Sequence, residues 1–291
     1  MKNRASLRSV SVRLAVTAAC FCLPASLQGA ISNYSVDFNS GEDSFADNFR
    51  RSADGGATGF VWLANGGTGG GGGLQVTNTT TDNIFYRPDP ADNATSTFDF
   101  GSLAAGAGYV SSADFRWSDS DATSLTSINL GFSTTNPNNA LSGGNYLSGS
   151  LIRNGSSDVT LRLRTESTNV YSLAFNQSAL TEGSWYRLVF QAGKNATAGS
   201  FNTMVSLFSI GGDGTSSPVL FNNGTSDVTI SGNITNTSLY TDGAVFGAYD
   251  VRNTSGIDRI DNLNVAFVPE PSSLVLSCMA LGFLGVRRRS R

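Results

Sequence analysis

The sequence predicts an all-β fold, a two-sheet antiparallel jelly-roll sandwich, and three observations lead to this prediction. Between two apolar terminal segments, the chain consists of short runs that alternate apolar and polar residues, as half-buried strands do. Clusters rich in glycine and asparagine separate these runs, and no useful length of sequence has a helical period. A dozen or so short strands without crossover helices pack most economically as two antiparallel sheets.

The strand predictions rest on residues that share one face. In Val159–Arg164 the three aliphatic residues fall on one side, and the two arginines fall on the other. The run Gly66–Gly73 lacks the Lys-Ser/Thr pair of a phosphate loop, so it is predicted as a flexible hairpin or loop before a strand. The other predicted strands are Tyr34–Phe38, Leu74–Thr77, Thr95–Phe100, Tyr109–Trp117, Ile128–Phe132, Tyr171–Phe175, Trp185–Phe190, Met204–Ile210, Ala244–Asp250 and Arg259–Phe267.

Three segments of the domain carry a resemblance to a known family. They are an opening Val36–Gly41, a mid-chain Trp185–Leu188 and a closing Ile257–Leu263, and together they resemble the concanavalin A-like lectin/glucanase sandwich. The resemblance implies that the first and last strands lie close together. Another β-sandwich or a β-helix is the alternative, and the absence of a fixed-period repeat in the sequence disfavours the β-helix.

The C-terminal end has the order of parts of a sorting signal. Its proline-rich motif cannot continue a strand or helix, its apolar run Leu274–Val286 is about 20 Å long as a helix, and its arginines favour the cytoplasmic side. This segment, predicted at 268–291, resembles the PEP-CTERM tail of exported bacterial proteins, which implies processing by an exosortase near the motif. The motif residues are Val268, Pro269, Glu270 and Pro271, and the terminal arginines are Arg287, Arg288, Arg289 and Arg291. An unprocessed membrane anchor or a buried helix is the alternative.

The N-terminal end is predicted to be a signal peptide at 1–30. Four basic residues precede the apolar stretch Leu14–Leu23, and small residues up to Ala30 form a cleavage region. A lipoprotein cleavage box at Cys20 is the alternative, although the apolar stretch before it is short. The two signals predict an exported protein that contacts the inner membrane transiently through a C-terminal transmembrane helix and then reaches the cell surface or extracellular matrix.

The composition of the remaining segment, 31–267, excludes several classes of function. All three cysteines lie in the terminal segments and the chain has no histidine, which removes thiolate, imidazole and Ser-His-Asp chemistry. Eight of the 19 Lys and Arg and one of the 22 Asp and Glu lie outside this segment, which leaves 11 against 21 and a net charge of −10. A domain this acidic repels phosphate backbones, so nucleic acid is not an expected partner.

The carboxylates do not match the pattern of a glycoside hydrolase. Glucanases of the resembled superfamily place their acid and nucleophile in Glu-x-Asp-x-x-Glu on one strand, and this motif is absent. The segment has only three glutamates, at positions 42, 166 and 182, and they are widely scattered. We therefore expect no enzyme activity, and a glycoside hydrolase is the alternative function.

Carbohydrate binding needs only an aromatic platform beside hydrogen-bonding side chains. Several aromatic residues lie beside polar loops, and the alternative is that each of them packs in the core. The predicted ligand-binding residues are Trp62, Tyr86, Asp89, Asp92, Asn93 and Tyr146. The expected function is a non-catalytic carbohydrate-binding module or a structural component of a polysaccharide matrix.

A structural Ca²⁺ is the only cofactor that the sequence suggests. Asp37 lies on the predicted first strand, and Asp258 and Asp261 lie at the last, so the three carboxylates could converge on a hard cation. The alternative is that the two later aspartates face solvent.

Overall fold

The structure is a computed structural model, and it describes residues 33–39, 50–53, 60–76, 83–87, 98–118, 126–134, 145–153, 157–165, 168–241, 246–253 and 257–270. Predictions on residues elsewhere, including the signal peptide and the apolar C-terminal run, lie outside this part of the chain. The strands of the described part are β1 (Asn33–Val36), β2 (Arg50–Ala53), β3 (Phe60–Leu63), β4 (Gly73–Val76), β5 (Asn83–Arg87), β6 (Gly108–Trp117), β7 (Thr126–Ser133), β8 (Tyr146–Arg153), β9 (Asp158–Thr165), β10 (Thr168–Asn176), β11 (Trp185–Lys194), β12 (Ser200–Gly211), β13 (Val219–Leu220), β14 (Thr229–Thr235), β15 (Phe246–Asn253) and β16 (Ile257–Val268), with a short helix α1 (Thr237–Thr241).

The strands form two sheets in which every pairing is antiparallel. The nine-stranded sheet has the order β13-β12-β11-β6-β16-β4-β3, with β1 also paired to β16 and β14 to β12. The seven-stranded sheet has the order β10-β9-β8-β7-β15-β5-β2. The predicted two-sheet antiparallel sandwich is therefore confirmed.

The core lies between the two sheets. Leu161 of the seven-stranded sheet and Leu188 of the nine-stranded sheet are fully buried in it. Aromatic rings pack edge to face in this core. The ring centre of Phe100 lies 5.0 Å from that of Tyr109 and 5.2 Å from that of Phe132. Such pairs stabilise a core by more than the area they bury, which suits a domain whose segment 31–267 has no disulfide.

The first and last strands lie side by side, as the resemblance implies. Asn33 of β1 is opposite Ala266 of β16, and the pairing continues to Val36 and Leu263. Strand β16 ends at Val268, which pairs with Gly108. The last strand therefore reaches the first residue of the predicted sorting segment.

Most predicted strands are present, and the differences have physical causes. Residues 98–100 of the predicted strand Thr95–Phe100 lie outside the named strands, with both phenylalanines inserted in the core. Strand β8 was not predicted because its residues are buried on both faces, so its sequence lacks alternation between apolar and charged residues. The sequence also missed β2, β3, β5, β13 and β14.

The glycine run connects β3 to β4 in a hairpin, one of the two predicted forms, and it contains an ordered turn. Thr68–Gly70 forms a 3₁₀ turn, and a Cβ on Gly67 would lie 2.0 Å from the carbonyl oxygen of Gly72. A Cβ on Gly72 would in turn lie 2.2 Å from the carbonyl oxygen of Phe38. Glycine is required here because the backbones approach too closely for any side chain.

Candidate functional site

The outer side of the seven-stranded sheet carries polar residues on strand β8. The inward direction is fixed by Gly149, because a Cβ there would lie 2.7 Å from Val205 and 2.8 Å from Phe190 in the core. Successive residues of a strand point to opposite faces. Ser148 and Ser150 therefore point away from the core.

Strand β9 places two arginines beside these serines. Arg162 is directly opposite Ser150, and Arg164 is directly opposite Ser148. Leu163 between them is fully buried in the core, so both arginines lie on the outer side, as the alternation of β9 predicts. We call Ser148, Ser150, Arg162 and Arg164 the polar face.

The serines of the polar face are buried without hydrogen bonds. Ser148 is 0% and Ser150 1% exposed, and the Oγ atom of each has no partner in the structure. The Nε atom of Arg164 is also buried and has no hydrogen-bond partner. Most buried polar side-chain atoms in native proteins have a partner, so three neighbouring exceptions mark a place where hydrogen-bonding capacity is left unused.

The arginines of the polar face have no carboxylate partner in the described part of the chain. Both are partly exposed, and the guanidinium of Arg164 lies 5.9 Å from the ring centre of Tyr146. Burial and, to a smaller extent, the neighbouring charge of Arg164 lower the pKa of Arg162. Two cations side by side repel each other, so an anion placed between them would be stabilised by both.

Neighbouring strands continue the rows of the polar face. Asn129 of β7 is opposite Ser150, and its Nδ2 atom donates to Ser127 Oγ at 3.5 Å. In the row of Ser148, the register continues through β7 and β15 to Tyr86 of β5, one of the predicted ligand-binding residues. The face is therefore part of a wider row of residues across the sheet.

The outer side of the nine-stranded sheet holds a different group of charged residues. Asp114 of β6 is fully buried and accepts hydrogen bonds from Arg187 Nε at 2.6 Å and Nη2 at 2.8 Å. Asn262 Nδ2 donates to the same carboxylate at 2.8 Å. Asn262 has a positive φ of 49° at an irregularity of β16, which turns its side chain toward this carboxylate.

Asp261 connects this group to the glycine-rich turn. Its Oδ2 atom accepts from the backbone N and the Oγ1 of Thr68, both at 2.8 Å, and its Oδ1 accepts from the N of Asn262 at 2.7 Å. The residue is 2% exposed. Burial raises the pKa of its carboxyl to about 6, although the three hydrogen bonds act in the opposite direction. The turn therefore covers a carboxyl that is costly to ionise.

This pair of carboxylates is placed for structure and not for catalysis. Glycoside hydrolysis needs two carboxyl groups on either side of a space that admits a sugar. Asp114 and Asp261 are both buried, and their hydrogen bonds go to Arg187, Thr68 and Asn262. No substrate can reach them while the turn is in place.

Three of the six predicted ligand-binding residues lie in the described part of the chain, and the structure places them on two different sheets. Trp62 of β3 is half-buried in the nine-stranded sheet, and its Nε1 donates to the Phe38 oxygen at 2.9 Å, so the indole supports the turn region. Tyr146 is fully buried on the side of Arg164, which contradicts a role as an open aromatic platform. Tyr86 lies on β5, and the other three predicted residues, Asp89, Asp92 and Asn93, lie outside the described residues.

The three predicted metal ligands do not fit a Ca²⁺ site in the structure. Asp258 pairs with Arg116 at 2.8 Å, and both carboxylate oxygens of Asp261 are occupied by Thr68 and Asn262. Asp37 is exposed, and its Oδ1 accepts from the N of Asn39 at 3.1 Å. Across the described residues, no group of three or more acidic side chains could hold a metal ion. Each of these side chains is therefore engaged with protein groups in the structure, and Ca²⁺ binding by them stays a prediction.

A second surface feature is a hollow of about 470 Å³ beside Lys194 and Tyr240. The Lys194 amine donates to the Phe100 oxygen at 3.0 Å and the Gly101 oxygen at 2.8 Å, and it lies 4.5 Å from the Tyr240 ring centre. The Tyr240 hydroxyl donates to the Asn195 oxygen at 3.0 Å. These groups are engaged in packing the end of the sandwich, so the hollow is the weaker candidate.

The sorting motif begins where the last strand ends. Val268 is the final residue of β16, Pro269 is exposed, and Glu270 is partly buried. Pro271 and the four terminal arginines lie outside the described residues. In the described ranges, no helix has the length and apolar character needed to cross a bilayer.

Comparison with known proteins identifies the tail and gives distant similarities for the domain. Residues 267–291 match the family model described as the PEP-CTERM protein-sorting motif. A search of the curated proteins finds no match. Among solved structures, the chain is similar to peanut lectin with 10% identity, 82% of this chain and 99% of that chain covered, and a TM-score of 0.47. It is also similar to the T. cruzi calreticulin globular domain, with 12% identity, 88% and 94% covered, and a TM-score of 0.47. Values this low give no information about ligands.

The residues of the polar face were not identified as a site from the sequence. The alternation of β9 places Arg162 and Arg164 on one side of a strand, which is also the arrangement of an ordinary solvated face. The useful signal is the combination of two adjacent outward arginines with a neighbouring Ser-Gly-Ser strand. It becomes visible only when the pairing of β8 with β9 is known.

Proposed function

We propose that this protein is exported, is sorted to the cell surface or extracellular matrix by an exosortase, and uses its β-sandwich as a non-catalytic carbohydrate-binding domain. The sorting part of the proposal is supported by the PEP-CTERM motif at 267–291. The predicted signal peptide at 1–30 provides the entry to the export route. The contact with the inner membrane, through Leu274–Val286, is transient because processing removes this segment.

The carbohydrate-binding part depends on one observation, which is the polar face. Sugars present many hydroxyl groups, and each needs a donor or acceptor when it is desolvated on a protein. The polar face offers the partly exposed guanidinium groups of Arg162 and Arg164, which have no carboxylate partner in the described part of the chain. A ligand rich in hydroxyls would satisfy groups that the free protein leaves without partners.

The sorting proposal is tested by mass spectrometry of the protein isolated from the surface fraction of its host. We expect a C-terminus within or just after Val268–Pro271, because Val268 is held in the sheet while Pro269 is exposed. An intact arginine cluster in that fraction would contradict processing.

The binding proposal is tested with the processed protein on an array of neutral and acidic polysaccharides. Binding to a defined class of glycan is the expected result. Absence of binding to every glycan would contradict the proposal and leave a structural role in the matrix. Release of reducing sugar from β-glucans above the buffer rate would contradict the non-catalytic part and support the glycoside hydrolase alternative.

A further inference from the structure

We infer that the polar face binds an acidic polysaccharide, with Arg162 and Arg164 contacting the anionic groups of successive or neighbouring sugars. This inference rests on the proposed carbohydrate-binding function and specifies the class of ligand. Neutral glycans are recognised without a pair of cations, so the two arginines are the feature that needs explanation.

The positive charge of the polar face stands out against the charge of the domain. Segment 31–267 carries a net charge of −10, yet Arg162 and Arg164 form no ion pair within the described ranges. In the sheet row of Arg162, the acidic residue is Asp250 on β15, three strands away. At a strand spacing of about 4.8 Å, the two backbones are roughly 14 Å apart, too far for an ion pair.

Two other arginines of the described part of the chain are each held by a carboxylate. Arg187 is held by Asp114 at 2.6 Å, and Arg116 is held by Asp258 at 2.8 Å. Arg116 also donates through Nε to the Gly183 oxygen at 3.0 Å. The two arginines of the polar face have no equivalent partner, so their charge is available to a ligand.

The geometry of the face suits carboxylate or sulfate groups along a chain of sugars. The two arginine backbones are about 6.7 Å apart, since they are two residues apart on one strand. A guanidinium binds a carboxylate through two parallel hydrogen bonds, and it binds sulfated or phosphorylated groups by the same donors. Ser150 and Ser148, opposite the two arginines, are buried, so the ligand contacts are made by the partly exposed guanidinium groups.

Other polyanions fit less well than an acidic polysaccharide. Nucleic acid carries a dense line of phosphates that a domain with a net charge of −10 repels over most of its surface. A localised pair of partly exposed arginines matches a polymer whose anionic groups are spaced along a chain of sugars.

The test measures binding of the processed mature protein to four polymers. Polygalacturonate and alginate carry carboxylates, dextran sulfate carries sulfates, and dextran is neutral. We expect binding to at least one acidic polymer, weakening as salt is raised, and no binding to dextran. A carboxylate preference or a sulfate preference then identifies the anionic group. The variants Arg162→Gln and Arg162→Gln/Arg164→Gln should raise Kd by about tenfold or more, since each removes hydrogen bonds to a charged group.

Two controls separate a binding role from a general effect of charge or folding. Arg259→Gln removes the same charge from the nine-stranded sheet, where its Nη1 donates to the Asn65 oxygen at 3.4 Å, and it should leave Kd within about twofold. Ser150→Ala removes a buried hydroxyl that has no partner and that a polymer cannot reach, so neither its melting temperature nor its affinity should fall.

The outcomes distinguish failure of this inference from failure of the proposed function. Binding to neutral dextran with no effect of the Arg162 variant would overturn the inference and leave carbohydrate binding intact. Equal weakening by Arg162→Gln and Arg259→Gln would also overturn it, because the effect would then be one of net charge. No binding to any of the four polymers, with binding to another glycan of the array, would overturn the inference alone, and no binding in either experiment would overturn both. If the double variant fails to fold, the single variant Arg162→Gln decides.

Discussion

The carboxyl of Asp261 should make the stability of the domain fall as the pH rises from about 4 to 6. Its pKa is raised to about 6 in the folded protein from an ordinary value of 3.8, so the folded state binds a proton that the unfolded state has released. In this window the folded state holds more protons than the unfolded state, and the stability contribution of the protonated carboxyl is present at pH 4 and lost as the pH rises through about 6. Above about pH 7, where the carboxyl is ionised in both states, the contribution no longer changes with pH.

The magnitude follows from the difference between the two pKa values. A difference of about two corresponds to about 3 kcal/mol, since one pKa unit is 1.36 kcal/mol. The residue is 2% exposed, so solvent screening removes little of this amount. For a domain of this size the shift in Tm is on the order of 5–10 °C.

Thermal unfolding of the wild type and Asp261→Asn between pH 4 and 7.5 measures this contribution. The asparagine cannot ionise, so its Tm should fall less over this range than that of the wild type, even though it loses one of three hydrogen bonds and is less stable at pH 4. Asp213→Asn, at a fully exposed carboxyl, changes the net charge equally and is the control. Parallel pH profiles for wild type and Asp261→Asn would refute the assignment.

Two further predictions concern the glycine turn and the metal. Gly72→Ala should lower the free energy of unfolding by about 2 kcal/mol or more, because its Cβ would lie 2.2 Å from the Phe38 oxygen. Gly212→Ala is the control and should have little effect, because nothing lies within 4 Å of its Cβ. Denaturant unfolding checks this, and equal losses would contradict it. Melting temperatures in EDTA and in millimolar Ca²⁺ at matched ionic strength should be equal if the Asp37, Asp258 and Asp261 side chains keep their protein partners. A rise with Ca²⁺ that Asp261→Ala abolishes would revive the metal site.

The sequence predicted the layers of the fold better than the contacts within its sites. The alternation of β9 is a local property, so it correctly placed Leu161 and Leu163 in the core and Arg162 and Arg164 outside. Strand β8 was missed because Ser148-Gly149-Ser150 has no contrast in polarity to reveal its two faces. The absence of contrast reflects burial on both sides, which only the packed structure shows.

The roles of the aspartates depend on partners that are distant in sequence. Asp261 was predicted as a cation ligand, but it is held by Thr68, which lies 193 positions earlier in the chain. Asp258 is likewise held by Arg116, 142 positions away. A carboxylate near a strand end has the same sequence pattern whether it binds an ion, a cation side chain or a hydroxyl. The choice is made by sheet pairing, which brings β6 against β16.

The position of β16 in its sheet determines how the domain bears a mechanical load. A pull on the C-terminal tail enters the domain through Val268 and is distributed along a strand that is paired with β6, β4 and β1. Displacing β16 would require many interstrand hydrogen bonds to break at the same time, because the strand is not at an edge of the sheet. A pull between the two ends of the domain acts differently, because Asn33 lies opposite Ala266 and the bonds of β1 would open one after another. A protein attached to a surface by its tail is thus attached through the middle of its larger sheet.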